Sequence, residues 1–135
     1  MSELSELARP FEGKYVKEKP GSFKAVYVEH GDITQRLLQV VGPFHFAVTE
    51  LIRGGGGEVE GCLATLTCEV DGVTVSVTEV GDVEQPGGKN NGARAKDAAS
   101  DAIKRCAMRL GLGLHLWCGD HYFLDKALAK IEVPE

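Results

Sequence analysis

The side chains best suited to binding chemistry are basic, and a group of them falls between Gly92 and Trp117. This segment carries five cationic residues: Arg94, Lys96, Lys104, Arg105 and Arg109. Ammonium and guanidinium groups bind phosphate oxygens and can hold a nucleic-acid backbone without reading its sequence. On a helix, Lys96, Ser100 and Lys104 would follow one another every four residues along one line. This spacing predicts a helix face that follows a chain of phosphates.

A solvated surface helix is the alternative interpretation of the same residues. Acidic and basic side chains four residues apart commonly pair on such a helix, and each pair contributes little to stability. Asp101 and Arg105 have this spacing, and their pairing would orient the guanidinium for a structural role. The basic segment alone therefore leaves both interpretations open.

No second group of residues forms a recognisable catalytic site. The histidines are scattered along the chain: His30, His45, His115 and His121. The Gly-x-x-x-x-Gly-Lys-Ser/Thr loop of ATPases is absent. Glu79 and Asp82 are the pair that a Mg²⁺-dependent nuclease would use, although carboxylates beside a strand more often face solvent. We therefore predict a protein that is not an enzyme, with no catalytic residue, no metal and no cofactor.

The cysteines predict buried thiols rather than a metal site. They lie at positions 62, 68, 106 and 118, and no two form a Cys-x-x-Cys pair. Cys118 and His121 have a spacing suited to metal binding, but a tetrahedral site needs a second pair of ligands nearby. Isolated cysteines in a reducing compartment usually pack as small apolar side chains.

Length and composition indicate one soluble domain. The chain has 135 residues, of which 43% are hydrophobic and 26% charged, as in a globular protein with one core. No apolar run approaches the roughly 18 residues of a membrane span, and the acidic N-terminus does not resemble a secretory signal. We expect a cytoplasmic protein without membrane association. Because the net charge is −5, any nucleic-acid site must be a local basic patch.

The elements that must position the basic residues are predicted from hydrophobic periodicity and turn residues. A short amphipathic helix over Ser2–Ala8 comes first. After it we predict a strand over Ser22–Val28, a helix over Asp32–Gly42, strands over Phe44–Ile52, Val59–Val70 and Val73–Val80, and a helix over Ala93–Leu112. Asp71-Gly72 is a strong hairpin signal between the last two strands. Residues 85–92, rich in Gly, Pro and Asn, predict a loop.

These elements predict an α+β fold, in which a three-stranded antiparallel β-meander packs on a long helix as a β-β-β-α core. An extra strand and helix precede this core. The long helix carries an apolar stripe rich in small residues, which allows a close approach to the sheet: Ala98, Ala99, Ala102, Ile103, Cys106, Ala107 and Leu110. We expect Trp117, which follows this helix, in the core or at a subunit interface.

The long helix also carries a family motif. Residues 98–113 read Ala-Ala-Ser-Asp-Ala-Ile-Lys-Arg-Cys-Ala-Met-Arg-Leu-Gly-Leu-Gly. This string resembles the Thr-Asp-Gly-Leu-Lys-Arg-Ala-Leu-Arg-x-Phe-Gly signature of the Rad-fifty-two family of single-strand annealing proteins, which includes phage-encoded members. Upstream, Lys24-Ala-Val-Tyr27 and the helix ending in Val40-Val-Gly-Pro-Phe44 are similar to the strand and helix before that family's meander.

The resemblance covers roughly residues 15–124 of the chain. It implies one annealing domain over 1–135, with an N-terminal arm at 1–14, the core at 15–124 and a C-terminal extension at 125–135. It further implies that the core assembles into a ring, with single-stranded DNA in an outer basic groove and the bases exposed for pairing.

Site residues can be carried over by position. Lys104 and Arg105 match the family's Lys-Arg at the groove floor, and Lys24 and Tyr27 match its basic and aromatic strand residues. Lys17 matches a further basic groove residue. Arg109 stands one position later than the family's third basic residue. The expected DNA-binding residues are Lys17, Lys24, Tyr27, Arg94, Lys96, Lys104, Arg105 and Arg109.

The function that the resemblance implies is the binding and annealing of single-stranded DNA in ATP-independent homologous recombination or DNA repair. The setting would be a bacterial or phage-infected host cell. Expected partners are single-stranded DNA and further copies of the chain, with a cognate exonuclease or single-strand-binding protein as a further candidate. Two alternatives stay open: a protein that protects DNA ends without annealing them, and a Mg²⁺-dependent nuclease.

Overall fold

The chain forms five strands and five α-helices within the described residues, which are 2–18, 26–83 and 87–132 of a computed structural model. The strands are β1 (Lys17–Glu18), β2 (Val26–Tyr27), β3 (His45–Arg53), β4 (Val59–Val70) and β5 (Val73–Asp82). The helices are α1 (Glu3–Ala8), α2 (His30–Val41), α3 (Asn91–Met108), α4 (Leu114–Cys118) and α5 (Leu124–Glu132). No helix in these ranges is both long and apolar enough to cross a bilayer.

Strands β3, β4 and β5 form the predicted antiparallel meander, in that spatial order. The β4–β5 turn is tight because Asp71 and Gly72 both have positive φ angles, 50° and 81°, as the favoured two-residue hairpin loop requires. The Asp71 carboxylate also accepts hydrogen bonds from the N–H groups of Glu3 (2.8 Å) and Leu4 (3.2 Å). The first N–H groups of a helix have no acceptor within the helix. Asp71 supplies one, and the contact joins α1 to the hairpin. The α+β prediction is confirmed.

Helix α3 packs closely on β4 and β5. Ala98 and Ala102 are fully buried against Cys62 and Ala64. On β5, a Cβ atom added to Gly81 would lie 2.0 Å from the Ala98 carbonyl oxygen and 2.7 Å from the Ala102 nitrogen. These distances are far inside van der Waals contact, so the helix can lie this near only because residue 81 is glycine. The predicted close approach of the helix is confirmed.

A second apolar cluster lies where α1 and α2 pack beside α3. Its fully buried members include Leu7, Ile33, Leu37, Leu66 and Leu112. Arg36 is buried beside them, and its Nη1 donates to the Arg9 carbonyl oxygen at 2.7 Å while its guanidinium lies 4.3 Å from the centre of the Phe11 ring. Burial lowers the pKa of Arg36. The backbone carbonyl replaces part of the water that the guanidinium has lost.

The starts of two helices differ from their predicted positions. Helix α2 begins at His30 instead of Asp32, with Asp32 in its first turn. Helix α3 begins at Asn91 instead of Ala93, inside the predicted loop, and Asn90 caps it by accepting a hydrogen bond from the Ala93 N–H at 2.9 Å. An asparagine cap satisfies one of the free N–H groups of the first turn, which extends the helix.

The C-terminal region holds two helices that the sequence did not predict. Helix α3 ends at Met108 instead of Leu112, and Gly111 and Gly113 then adopt left-handed φ angles of 89° and 76°. Such angles stop a right-handed helix. Helix α4 follows, and α5 packs against α1.

Only the end of the predicted strand Ser22–Val28 lies in the described residues. Val26 and Tyr27 of β2 pair antiparallel with Glu18 and Lys17 of β1. This is a two-stranded sheet, distinct from the meander. The sequence did not predict β1, because two residues are too few for a periodic pattern.

The cysteines largely behave as predicted. Cys62, Cys68 and Cys106 are buried, and burial raises the pKa of all three thiols, which keeps them protonated and unreactive. Cys118 is only half-buried, so the prediction is wrong for this residue. Within 2–18, 26–83 and 87–132, no group of three or more His, Cys, Asp or Glu side chains is arranged to hold a metal ion.

Candidate nucleic-acid interface

Three predicted site residues that lie far apart in the sequence meet on one surface, the Lys104 cluster, formed by Lys17, Tyr27 and Lys104. Lys17 and Tyr27 are direct partners across the β1–β2 pair, so their side chains share a face. The Lys104 Nζ atom lies 5.3 Å from the centre of the Tyr27 ring and donates to the Val28 carbonyl oxygen at 3.4 Å. A helix of the core and a separate small sheet thus bring two ammonium groups and one phenol ring together.

An acidic residue that the sequence did not single out adjoins this cluster. Lys17 forms a hydrogen-bonded ion pair with Glu29, and both side chains are about half exposed. The hydrogen bond and the charge of Lys17 lower the pKa of Glu29, with smaller contributions from His30 and Lys104. The same ion pair raises the pKa of Lys17. Glu29 is therefore paired with one cation of the cluster, Lys17, and an arriving phosphate would compete with it.

Arg105 belongs to a second group, the Arg105 cluster, formed by Asp101, Arg105 and Trp117. The Nε of Arg105 donates to Asp101 Oδ2 at 2.9 Å, and its guanidinium lies 5.2 Å from the centre of the Trp117 ring. The same Asp101 oxygen accepts a hydrogen bond from the Asp82 N–H at 2.9 Å. Asp101 is only 6% exposed, so it joins α3 to the end of β5 and orients Arg105, as its spacing predicts.

Arg105 remains charged in this setting. Burial acts to lower its pKa, but the hydrogen bond and the charge of Asp101 outweigh burial, and the pKa of Arg105 is raised. Trp117 is 52% exposed, so it does not lie in the core, and its place at a subunit interface stays a prediction. Because consecutive helix positions differ by about 100° around the axis, Lys104 and Arg105 point to different rings.

Arg109 lies beside β5, where its Nε donates to Glu79 Oε2 at 2.6 Å. Its own side chain is 60% exposed, against 21% for Glu79. Glu79 is therefore already paired with a cation. Glu79 and Asp82 lie three positions apart on β5, and since successive residues of a strand face opposite ways, their side chains leave the strand on opposite faces.

The basic residues at the start of α3 take two different roles. Arg94 donates from Nε to the Val59 carbonyl oxygen, while Asn91 Oδ1 accepts a hydrogen bond from the Val59 N–H at 3.0 Å. Both contacts fix the beginning of α3 to the beginning of β4, so Arg94 has a structural role here. Lys96 is exposed, and no hydrogen bond or ion pair joins it to another residue of the described ranges. Lys24 lies outside the described residues.

Sequence reasoning found the basic residues but missed most of their partners. Among these partners, only Asp101 could be inferred locally, because it lies four residues before Arg105 on the same helix. Glu29 and Trp117 reach their positions through the tertiary fold, and no motif marks them. Comparison of the chain with protein-family models and with curated proteins gives no match.

Proposed function

We propose that this protein binds single-stranded DNA and anneals complementary strands without ATP. The observation that carries the proposal is the Lys104 cluster, because residues 17, 27 and 104 meet there from three elements. Two ammonium groups beside an aromatic ring suit a polyanion that carries unpaired bases. The resemblance of residues 98–113 to the Rad-fifty-two signature supports the same function.

In this proposal the cations hold phosphates and leave the base edges free for pairing. Lysine and arginine contacts to phosphate carry no sequence information, and a base stacked on Tyr27 would add about 1–3 kcal/mol for any base. One protomer offers few cations, and Glu29 and Asp101 offset part of their charge. Binding by a ring or another assembly of copies would join several weak sites into one track. An exonuclease or a single-strand-binding protein remains a candidate partner.

Annealing is tested by the rate at which a fluorophore strand and a complementary quencher strand pair, with and without the protein. We expect faster pairing with the wild type and no requirement for ATP. Pairing that is no faster with the protein than without it would refute annealing. If the protein instead protects 3′ ends from an exonuclease without speeding pairing, its function is the end-protecting alternative.

The site is tested by Lys104→Ala, with Lys126→Ala on an exposed position of α5 as the matched control. Each phosphate contact to a single strand contributes roughly 0.7 to the slope of log affinity against log salt concentration. We expect Lys104→Ala to reduce the slope by about that amount, and its combination with Arg105→Ala to abolish binding at physiological salt. Equal binding by the double variant and the Lys126→Ala control would show that DNA binds elsewhere.

A further inference from the structure

Two consecutive cations of α3 each lie over an aromatic ring, and only one of these rings belongs to the predicted site. Lys104 lies 5.3 Å from the centre of the Tyr27 ring, and Arg105 lies 5.2 Å from the centre of the Trp117 ring. Trp117 is the single tryptophan of the chain, and half of its surface is exposed. The chain therefore leaves its largest aromatic side chain open to solvent beside a fixed positive charge.

We propose that Trp117 is a second base-stacking site for single-stranded nucleic acid, with Arg105 as its phosphate-binding partner. This inference rests on the proposed function and extends it, because it adds a binding residue beyond the residues matched to the family motif. An unpaired base stacks on the exposed indole while the guanidinium binds the adjoining phosphate. Stacking on an aromatic face accepts every base, so the site has no sequence preference.

The Arg105 cluster is prepared for this role before any ligand arrives. Asp101 fixes the guanidinium through its Nε, and Asp101 is itself held by the Asp82 N–H of β5. The contact through Nε leaves the terminal nitrogens of Arg105 without a hydrogen bond to any described residue, and the side chain is 33% exposed. A phosphate can therefore approach without displacing Asp101. The Arg105 side chain is already oriented and loses little conformational entropy when a phosphate binds, which favours affinity.

The chemistry of the neighbourhood favours a nucleic acid over an apolar protein surface. Phe123 and Ile131 are also exposed, at 71% and 78%, but neither has a cation over it among the described residues. Trp117 differs from them because a guanidinium lies over its ring, and the next cation along α3 lies over Tyr27. Each of these two pairs joins a cation to a ring, which suits a strand that carries both phosphates and unpaired bases.

The fluorescence of Trp117 can test the proposal directly, because Trp117 is the only tryptophan in the chain. Titration of the full chain with an oligothymidylate should change its fluorescence, whereas inorganic polyphosphate, which has charge but no bases, should not. Trp117→Leu should weaken oligothymidylate binding roughly 5- to 150-fold, as expected for one lost stacking contact, and Trp117→Phe should weaken it less. Phe123→Leu is the matched control and should bind as the wild type does. Circular dichroism confirms that each variant is folded.

The possible outcomes separate this inference from the function on which it rests. If the wild type does not bind oligothymidylate at all, the proposed function fails. If the wild type binds, but the fluorescence is unchanged and Trp117→Leu binds equally well, the stacking site is refuted and the proposed function stands. A fluorescence change that follows protein concentration in the absence of DNA would assign Trp117 to contact between copies of the chain instead.

Discussion

Replacing Asp101 by asparagine should separate the structural role of the Arg105 cluster from its binding role. One carboxylate oxygen of Asp101 accepts two hydrogen bonds of 2.9 Å, one from the Asp82 N–H and one from Arg105 Nε. Asparagine keeps the shape and an acceptor oxygen but removes the charge. The same residue thus stabilises the contact of α3 with β5 and neutralises a cation that we assign to DNA binding.

The effect on stability follows from the two hydrogen bonds. A bond to a charged group contributes about 1.5–3 kcal/mol and a neutral bond about 0.5–1.5 kcal/mol. The Arg105 side chain is one-third exposed, so solvent reduces its share. We expect Asp101→Asn to lower the free energy of unfolding by about 2 kcal/mol and Asp101→Ala by about 3 kcal/mol, since alanine also removes the acceptor of the Asp82 N–H. Urea denaturation followed by circular dichroism measures both values.

Asp97→Asn is the matched control, one turn earlier on the same helix. Asp97 pairs with Lys89, and both side chains are about one-third exposed, so its loss should cost less than about 1 kcal/mol. In DNA binding, Asp101→Asn should act oppositely to Arg105→Ala: affinity should rise for the first, because the guanidinium is no longer neutralised, and fall for the second. The reasoning fails if Asp101→Asn is no more destabilising than Asp97→Asn, or if it weakens binding as Arg105→Ala does.

Two further predictions concern the framework of the site. Gly81→Ala should lower the free energy of unfolding by about 3 kcal/mol, because the added Cβ would lie 2.0 Å from the α3 backbone. The control Gly55→Ala has no atom within 4 Å of its added Cβ and should be nearly neutral in the same urea assay. Equal stabilities of the two variants would contradict the close packing. Burial lowers the pKa of His115, and both of its buried ring nitrogens have no hydrogen-bond partner in the described part of the chain. Because the pKa of His115 is lower in the folded than in the unfolded state, its protonation opposes folding. The free energy of unfolding should therefore be unaffected by His115 above about pH 6.5 and fall below that pH by up to about 1.4 kcal/mol per pH unit. His115→Phe should remove this dependence in a pH series of melting temperatures, while His45→Phe at an exposed position should not.

Local chemistry made the meander predictable. Asp71-Gly72 requires positive φ angles that fit a two-residue hairpin, and the alternation of β4 and β5 then determines which side chains face α3. The small residues of α3 predicted its close approach to the sheet, and Gly81 completes that approach from a strand. In each of these cases the decisive signal lies within a few residues of the chain.

The cations of the candidate site could be predicted from the sequence, but which of the site residues lie together could not. Lys17, Tyr27 and Lys104 meet because β1 pairs with β2 beside α3, and neither strand is long enough to show a periodic pattern. Trp117 lies on α4, which begins after the chain has ended α3 early and turned at Gly111 and Gly113. Such positions depend on contacts between distant segments, which composition and periodicity do not encode.

The acidic partners of the basic residues bear directly on how the proposed annealing would work. In the pair of Lys17 with Glu29 both side chains are about half exposed, so a phosphate can replace the carboxylate at little net cost or gain. Buried Asp101 stays in place and keeps its cation oriented. Each contact to DNA is then individually weak. Weak contacts would suit the proposed annealing, because a strand that has found its complement must leave the surface as a duplex. In the proposed assembly, affinity for the single strand would come from repeating the site across copies.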